Sequence, residues 1–371
     1  TEKQSVVWDK PGIWTFSDFD NERAVLTKLN GSMHNEHFLL NLMSGETTPL
    51  IGQNEVEDFL VLLLKQKNEY LVVTNKVDDF RAIYTLKSGQ LKPFIAVKGA
   101  DIRGASLSHN RRYLSYSVNK DGYGQIKLYD MASKKEIAVP QSTKVEQASW
   151  GDFSDNNRYI TFSTELHNSP RKNYVYDIQQ KRSVEWMHSS TPEVDTQKYV
   201  RAELMTYPAE DGTAIPLFVW RSEECKQKTC PVILQFHGGP ESQSTPRFNP
   251  IINLYVDKGF VFAMPNVRGS DGYGKKWLRA DNGRNRLKVI SDIRDASRFA
   301  KKQFAVNGAV PKVGIMGGSY GGYSTLVGAS LFADDFDAAF AIVGMSSLVT
   351  FIENTAPYRR ALRANEYGDP Q

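Results

Sequence analysis

Over roughly the first 190 residues, apolar and polar positions alternate in short runs closed by polar turns, the period-two pattern of half-buried strands. The runs also repeat. Arg23-Ala24-Val25-Leu26-Thr27, Tyr70-Leu71-Val72-Val73-Thr74, Tyr113-Leu114-Ser115-Tyr116-Ser117 and Tyr159-Ile160-Thr161-Phe162-Ser163, taken from 24, 70, 113 and 159, are spaced by 46, 43 and 46 residues. A second strand follows each at a similar offset (Phe38-Leu39-Leu40, Ala82-Ile83-Tyr84, Ile126 to Asp130, Tyr174 to Asp177), then a polar turn and a further short strand. That period fits a β-propeller blade of four antiparallel strands. A run of hairpins in a sandwich explains the alternation but not the regular spacing. Four units are few for a closed propeller of this blade size, so the chain is expected to start part-way round.

The pattern changes after Ser189-Ser190-Thr191-Pro192. A turn at Tyr207 to Thr213 precedes a strand at Ile215 to Trp220, and apolar runs then alternate with helical periodicity, the mark of a mostly parallel, doubly wound α/β sheet. Pro231 to Phe236 and Phe260 to Met264 read as buried strands. Between Val289 and Phe304, apolar residues at 289, 293, 296, 300 and 304 form one helix face. Val313 to Met316 and Ala338 to Val343 are the next strands. The expected division is a propeller part over residues 1–195 and an α/β part over 196–371.

The richest stretch for chemistry is Lys312-Val313-Gly314-Ile315-Met316-Gly317-Gly318-Ser319-Tyr320-Gly321-Gly322-Tyr323. An apolar strand stops at a glycine cluster around one serine, and a small-residue helix follows. This is the context in which Gly-x-Ser-x-Gly marks a nucleophile elbow. Gly317 and Gly321 stand where a Cβ would collide across the turn, Ser319 is the candidate nucleophile, and the Tyr320 N–H is one candidate oxyanion donor. A phosphate cradle is excluded, since no Gly-Lys-Ser/Thr follows. The second donor comes from His237-Gly238-Gly239-Pro240, which begins where a buried strand ends. There Gly239 is the candidate. His237 precedes Ser319, the wrong order for the base of this fold, and is expected to prop its loop. His34, His37, His109, His167 and His188 lie in the repeats, and no histidine follows Ser319.

Composition adds little. The net charge of +4 is scattered rather than gathered, which argues against a nucleic-acid partner. Apolar runs such as Phe59–Leu64 fall far short of a membrane span. The chain begins at Thr1, so cytoplasmic, periplasmic and secreted locations all stay open, as does assembly into a homo-oligomer. Cys225 and Cys230 fit either a small disulfide loop or two free thiols. No second Cys/His pair has zinc spacing, so neither a metal nor another cofactor is expected.

His237-Gly238-Gly239-Pro240, Asn266-Val267-Arg268-Gly269-Ser270-Asp271-Gly272-Tyr273-Gly274, Gly317 to Tyr323 and Glu366-Tyr367-Gly368-Asp369-Pro370 occur in an order and spacing that resemble the prolyl oligopeptidase family, in its acylaminoacyl-peptidase and dipeptidyl-peptidase branches. The resemblance covers about Tyr207 to the last residue by motif, and the repeats in kind. It implies a partial β-propeller of about four blades followed by part of an α/β-hydrolase domain. It further implies a serine peptidase whose propeller caps the site and admits short peptides. Carried over, Ser319 is the nucleophile, Tyr320 and Gly239 give the oxyanion N–H groups, and Met345, Leu348 and Phe351 line an apolar pocket for the residue before the scissile bond. Arg268 and Asp292 match patterned positions and suit a structural ion pair. The family's acid and histidine fall further along than the 52 residues that follow Ser319 here. The resemblance therefore implies an internal piece of a longer enzyme, with little peptidase turnover by itself. A carboxylesterase of the same fold and a non-catalytic propeller binding protein are the alternatives.

Overall fold

The structure, a computed structural model, describes residues 6–31, 33–187, 189–190 and 193–368. Of the positions singled out above, His188, Thr191, Pro192, Asp369 and Pro370 lie outside the described residues. The chain opens with four antiparallel sheets, each of four strands paired in sequence order. They are β1 (Ile13–Phe19), β2 (Arg23–Gly31), β3 (His34–Asn41) and β4 (Thr47–Ile51); β5 (Phe59–Leu63), β6 (Glu69–Thr74), β7 (Ala82–Lys87) and β8 (Gln90–Ile95); β9 (Asp101–Leu107), β10 (Tyr113–Lys120), β11 (Tyr123–Asp130) and β12 (Lys135–Ile137); and β13 (Gln147–Phe153), β14 (Tyr159–Leu166), β15 (Ser169–Asp177) and β16 (Arg182–Met187). The repeated sequence runs are the second strand of each blade. The sequence reading named three strands per unit, and the structure adds the one before them.

The repeat has a chemical cause, clearest in the third and fourth blades. Ser108 and Ser154 accept from the backbone N–H groups of Tyr113 (2.9 Å) and Tyr159 (3.0 Å), which fixes the turn into the second strand. Arg112 and Arg158 then grip Asp130 (3.1 Å) and Asp177 (2.6 Å), the residues that end the third strand. Both guanidinium groups lie 5.1 Å from the ring centres of Tyr113 and Tyr159. The same aspartates cap the next turn, accepting from Ala132 and Gln179. One short cassette thus sets the spacing of two turns and three strands.

A six-stranded sheet follows, in the order β17 (Glu203–Pro208), β18 (Ala214–Trp220), β20 (Val261–Pro265), β19 (Val232–Phe236), β21 (Val313–Gly318) and β22 (Ala338–Ile342). The first two pairings are antiparallel and the other three parallel. Its helices are α1 (Glu224–Gln227), α2 (Pro250–Asp257), α3 (Lys275–Leu278), α4 (Arg286–Gln303), α5 (Tyr320–Leu331), α6 (Leu348–Glu353) and α7 (Pro357–Tyr367). Period-two alternation splits the sheet's side chains between two cores. Leu217, Val219, Leu234 and Ile315 meet the α4 face of Val289, Ile293, Ala296 and Ala300. Phe218, Trp220 and Phe262 meet Ile252 and Val256 of α2. The edge strand β22 is the exception: all five of its residues are exposed, Phe340 by 62%.

Of the two readings of Cys225 and Cys230, the structure has the disulfide. Among the described residues no helix is long and apolar enough to cross a membrane. The propeller meets the larger sheet through charge: Asp271 binds Arg103 (2.5 Å) and Arg81 (3.5 Å), and Glu57 binds Lys275 (3.2 Å) and Arg279 (3.3 Å).

Arg268 and Asp292 form the ion pair that their positions suggested. Arg268 Nε lies 3.0 Å from Asp292 Oδ2 and its Nη1 lies 2.6 Å from Asp211, while the Asp292 side chain is fully buried. Removing one partner strands a buried charge, so Arg268→Ala is expected to cost about 3–5 kcal/mol in equilibrium unfolding. Replacing both residues by apolar ones of similar volume should cost much less, and equal losses would show that the pair itself is not what matters.

Candidate active site

The sheet's centre ends at Ser319. β21 runs two residues past the sequence-predicted Met316, to Gly318, and α5 starts at Tyr320. Between them Ser319 sits at φ 56° and ψ −118°, a region that residues with a side chain rarely occupy. The glycines around it are sterically required. A Cβ on Gly317 would lie 2.4 Å from the Gly321 carbonyl oxygen, and one on Gly321 only 2.0 Å from that of Phe236. The turn lifts Ser319 clear of both elements. The N–H groups that open α5, starting with Tyr320, have no acceptor within the helix and carry its positive end.

The His237–Pro240 loop comes off the end of β19 and lies on the same spot. A Cβ on Gly238 would stand 3.4 Å from the Ser319 Cβ and 3.9 Å from its Oγ. Gly239 has φ 127°, and a Cβ there would strike the backbone nitrogens of Glu241 (2.7 Å) and Ser242 (2.9 Å). The two glycine segments are therefore brought together as the sequence reading expected. His237 sits under its loop, with Nδ1 2.8 Å from the Gly238 carbonyl and Nε2 2.8 Å from Ser270 Oγ. Burial lowers its pKa and favours the neutral ring. Among the described residues no histidine is hydrogen-bonded to Ser319, and no cluster of three or more His, Cys, Asp or Glu side chains could hold a metal ion.

Leu348 opens α6 and Phe351 stands one turn on, so both share a helix face, and Met345 lies in the loop before it. All three are partly exposed. The Phe351 ring meets Tyr367 edge-on, with 5.8 Å between centres.

Sequence reasoning missed a buried cluster behind the elbow. Arg286, at the start of α4, donates through Nη1 to Asp281 (3.1 Å) and to the Tyr320 hydroxyl. Its Nη2 donates to the Glu366 carboxylate (2.6 Å) and carbonyl (2.8 Å). The Asn282 amide, nitrogen inward, donates to Glu366 (3.0 Å) and Asp281 (3.2 Å). Burial raises the pKa of both Asp281 and Glu366, with Arg286 opposing it in each, and the charge of Asp281 lifts Glu366 further. One signal was available. Arg286 falls three residues before Val289, on the stripe that α4 buries.

A propeller beside a mostly parallel sheet that ends in a glycine-flanked serine turn is the α/β-hydrolase fold with a propeller domain. The comparisons point to one group: residues 246–371 match the model of the prolyl oligopeptidase family. A prolyl endopeptidase of Elizabethkingia miricola is 28% identical over 251 residues, 66% of this chain and 34% of that protein. Dipeptidyl aminopeptidase BIII of Pseudoxanthomonas mexicana is 35% identical over 144 residues, 38% of this chain and 21% of that one. Among solved structures, prolyl oligopeptidase B of Galerina marginata superposes with a TM-score of 0.81 at 21% identity, covering 96% of this chain and 51% of that one. The chain thus spans about half the length of the solved chains it matches.

Two outcomes are expected. Gly321→Ala should unfold the elbow, costing more than about 3 kcal/mol in a denaturant melt, whereas Gly238→Ala, with looser neighbours, should cost about 1 kcal/mol. The reverse order would contradict the geometry. The carboxylate pair also makes stability depend on pH. Both carboxyls titrate above the ordinary 3.8 and 4.5 in the folded state, so the folded state holds more protons just above these values. The pair's contribution is fully present below the ordinary carboxyl range and lost as pH rises through the raised folded values. Glu366→Gln should flatten that decline when melting temperature is followed from pH 4 to 8.

Proposed function

We propose that the protein carrying this chain is a serine peptidase that cleaves short peptides through an acyl-enzyme on Ser319. The observation that carries the proposal is the meeting of two independent segments at one strained serine: the elbow and the His237–Pro240 loop. In this reading Ser319 Oγ attacks the scissile carbonyl carbon, and a base elsewhere in the whole protein takes its proton. The Tyr320 and Gly239 N–H groups receive the developing oxyanion. The proton then passes to the amine nitrogen as the C–N bond breaks, and water hydrolyses the remaining ester. Met345, Leu348 and Phe351 offer an apolar surface to the residue before the scissile bond. Support for peptides as substrate comes from the propeller docked by Asp271 and Glu57 against the hydrolase part, and from the peptidase names of the relatives.

The test uses the intact protein, its Ser319→Ala variant and a fluorophosphonate probe, followed by aminoacyl- and peptidyl-nitroanilides beside short acyl esters. Ser319 should carry the label, and the alanine variant should lose at least about 10³-fold of amide turnover. Absence of labelling would leave a binding protein, and ester turnover without amide turnover would leave an esterase. Phe351→Ala should lower kcat/KM several-fold for large apolar side chains at the cleaved position and little for small ones.

A further inference from the structure

The cluster behind the elbow touches both sides of the candidate oxyanion site. Arg286 is 6% exposed at its side chain and bonds the hydroxyl of Tyr320, the residue whose N–H faces one side. Its guanidinium carbon lies 5.2 Å from the Tyr320 ring centre and 4.9 Å from that of Tyr367. Tyr367, next in sequence to the Glu366 that holds Arg286, donates its hydroxyl to the carbonyl of Gly239 (3.2 Å), on the other side. The last turn of α7 therefore grips one oxyanion segment directly and the other through a buried arginine. These links join residues far apart in the chain, and each ends on a different half of the same site.

We propose that Arg286, Glu366 and Tyr367 form a positioning unit that sets the distance between the Tyr320 and Gly239 donors. The inference rests on the reading of Ser319 as nucleophile. An oxyanion hole works only if its donors are in place before charge develops, since reorganising them during the reaction would consume the stabilisation they provide. The elbow fixes Tyr320 from below, by glycine contacts. The His237–Pro240 loop is tied to Ser270 through His237, and the Tyr367 hydroxyl adds a second side-chain hold, on the Gly239 carbonyl. Asp281 fits the same account. Its carboxylate packs directly under Gly269, which leaves no room for a Cβ there, and accepts from Arg286 Nη1 (3.1 Å), so it adds a further hold on the arginine.

A positioning role predicts a loss in the transition state alone. The intact protein and the variants Tyr367→Phe, Glu366→Gln and Arg286→Lys are compared by steady-state kinetics on a peptidyl-nitroanilide. They are also compared by inhibition with a peptidyl boronic acid, whose serine adduct is a tetrahedral anion. Tyr367→Phe keeps the ring and loses only the hydroxyl. It should lower kcat about 10-fold, with KM within about twofold, and weaken the boronate by a similar factor. Arg286→Lys should cost about 10²-fold or more in kcat, because one ammonium cannot reach all three partners. Glu366→Gln, which keeps an acceptor for Arg286, should fall between wild type and Arg286→Lys. Melting temperatures identify any variant that fails to fold, and Tyr367→Phe then decides. Wild-type kcat and boronate affinity in Tyr367→Phe would overturn the inference, as would a rise in KM with kcat unchanged, the signature of a pocket wall. An intact protein without any turnover would overturn the peptidase reading and this inference together. Turnover with unaffected variants would overturn this inference alone.

Discussion

Backbone lies directly on backbone at the heart of this molecule. The first turn of α5 meets the end of β19 with nothing between them, since any side chain on Gly321 would occupy the place of the Phe236 carbonyl. That contact brings the loop after β19 onto Ser319 and forces the strained turn. Such a backbone conformation costs about 1–3 kcal/mol. The core beneath outweighs it: Leu234, Ile293 and Ile315 are buried there, each worth about 1.5–3 kcal/mol relative to exposure. The glycines make the approach sterically feasible, and the apolar layer makes it favourable.

A second constraint is electrostatic and runs along α4. Among the buried ionic groups of this 18-residue helix are Arg286 at its start and Asp292 six residues later. The first is tied to α7 and Tyr320, the second to Arg268 in the loop that also reaches the propeller through Asp271. Neither charge is solvated, so each fixes its partners closely. The helix that looks like a simple apolar support therefore also sets the position of the loops around the serine.

Features held by neighbours in sequence were legible from the residues. The blade repeat could be read because its cassette, serine to tyrosine to arginine to aspartate, is local. The elbow could be read because glycines and serine fall within five residues. The first strand of the third blade was harder. Asp101-Ile102-Arg103-Gly104-Ala105-Ser106-Leu107 mixes charge and glycine, and its strand character comes from pairing with β10 rather than from its own pattern. The Arg286 cluster was invisible for a different reason. Asp281 and Arg286 stand 80 or more residues before Glu366 and carry no motif between them. Charges on a helix start read as solvated unless the three-dimensional stripe is drawn. Glu366 and Tyr367 were recognised only as part of a family pattern, without a task.

The outermost strand bears on handling of the molecule. β22 offers Phe340 and Ile342 to solvent, and among the described residues its far side pairs with no strand. An apolar edge with a free row of N–H and C=O groups is a template for another strand. When these 371 residues are produced by themselves, that edge is a surface on which a second copy can add a strand.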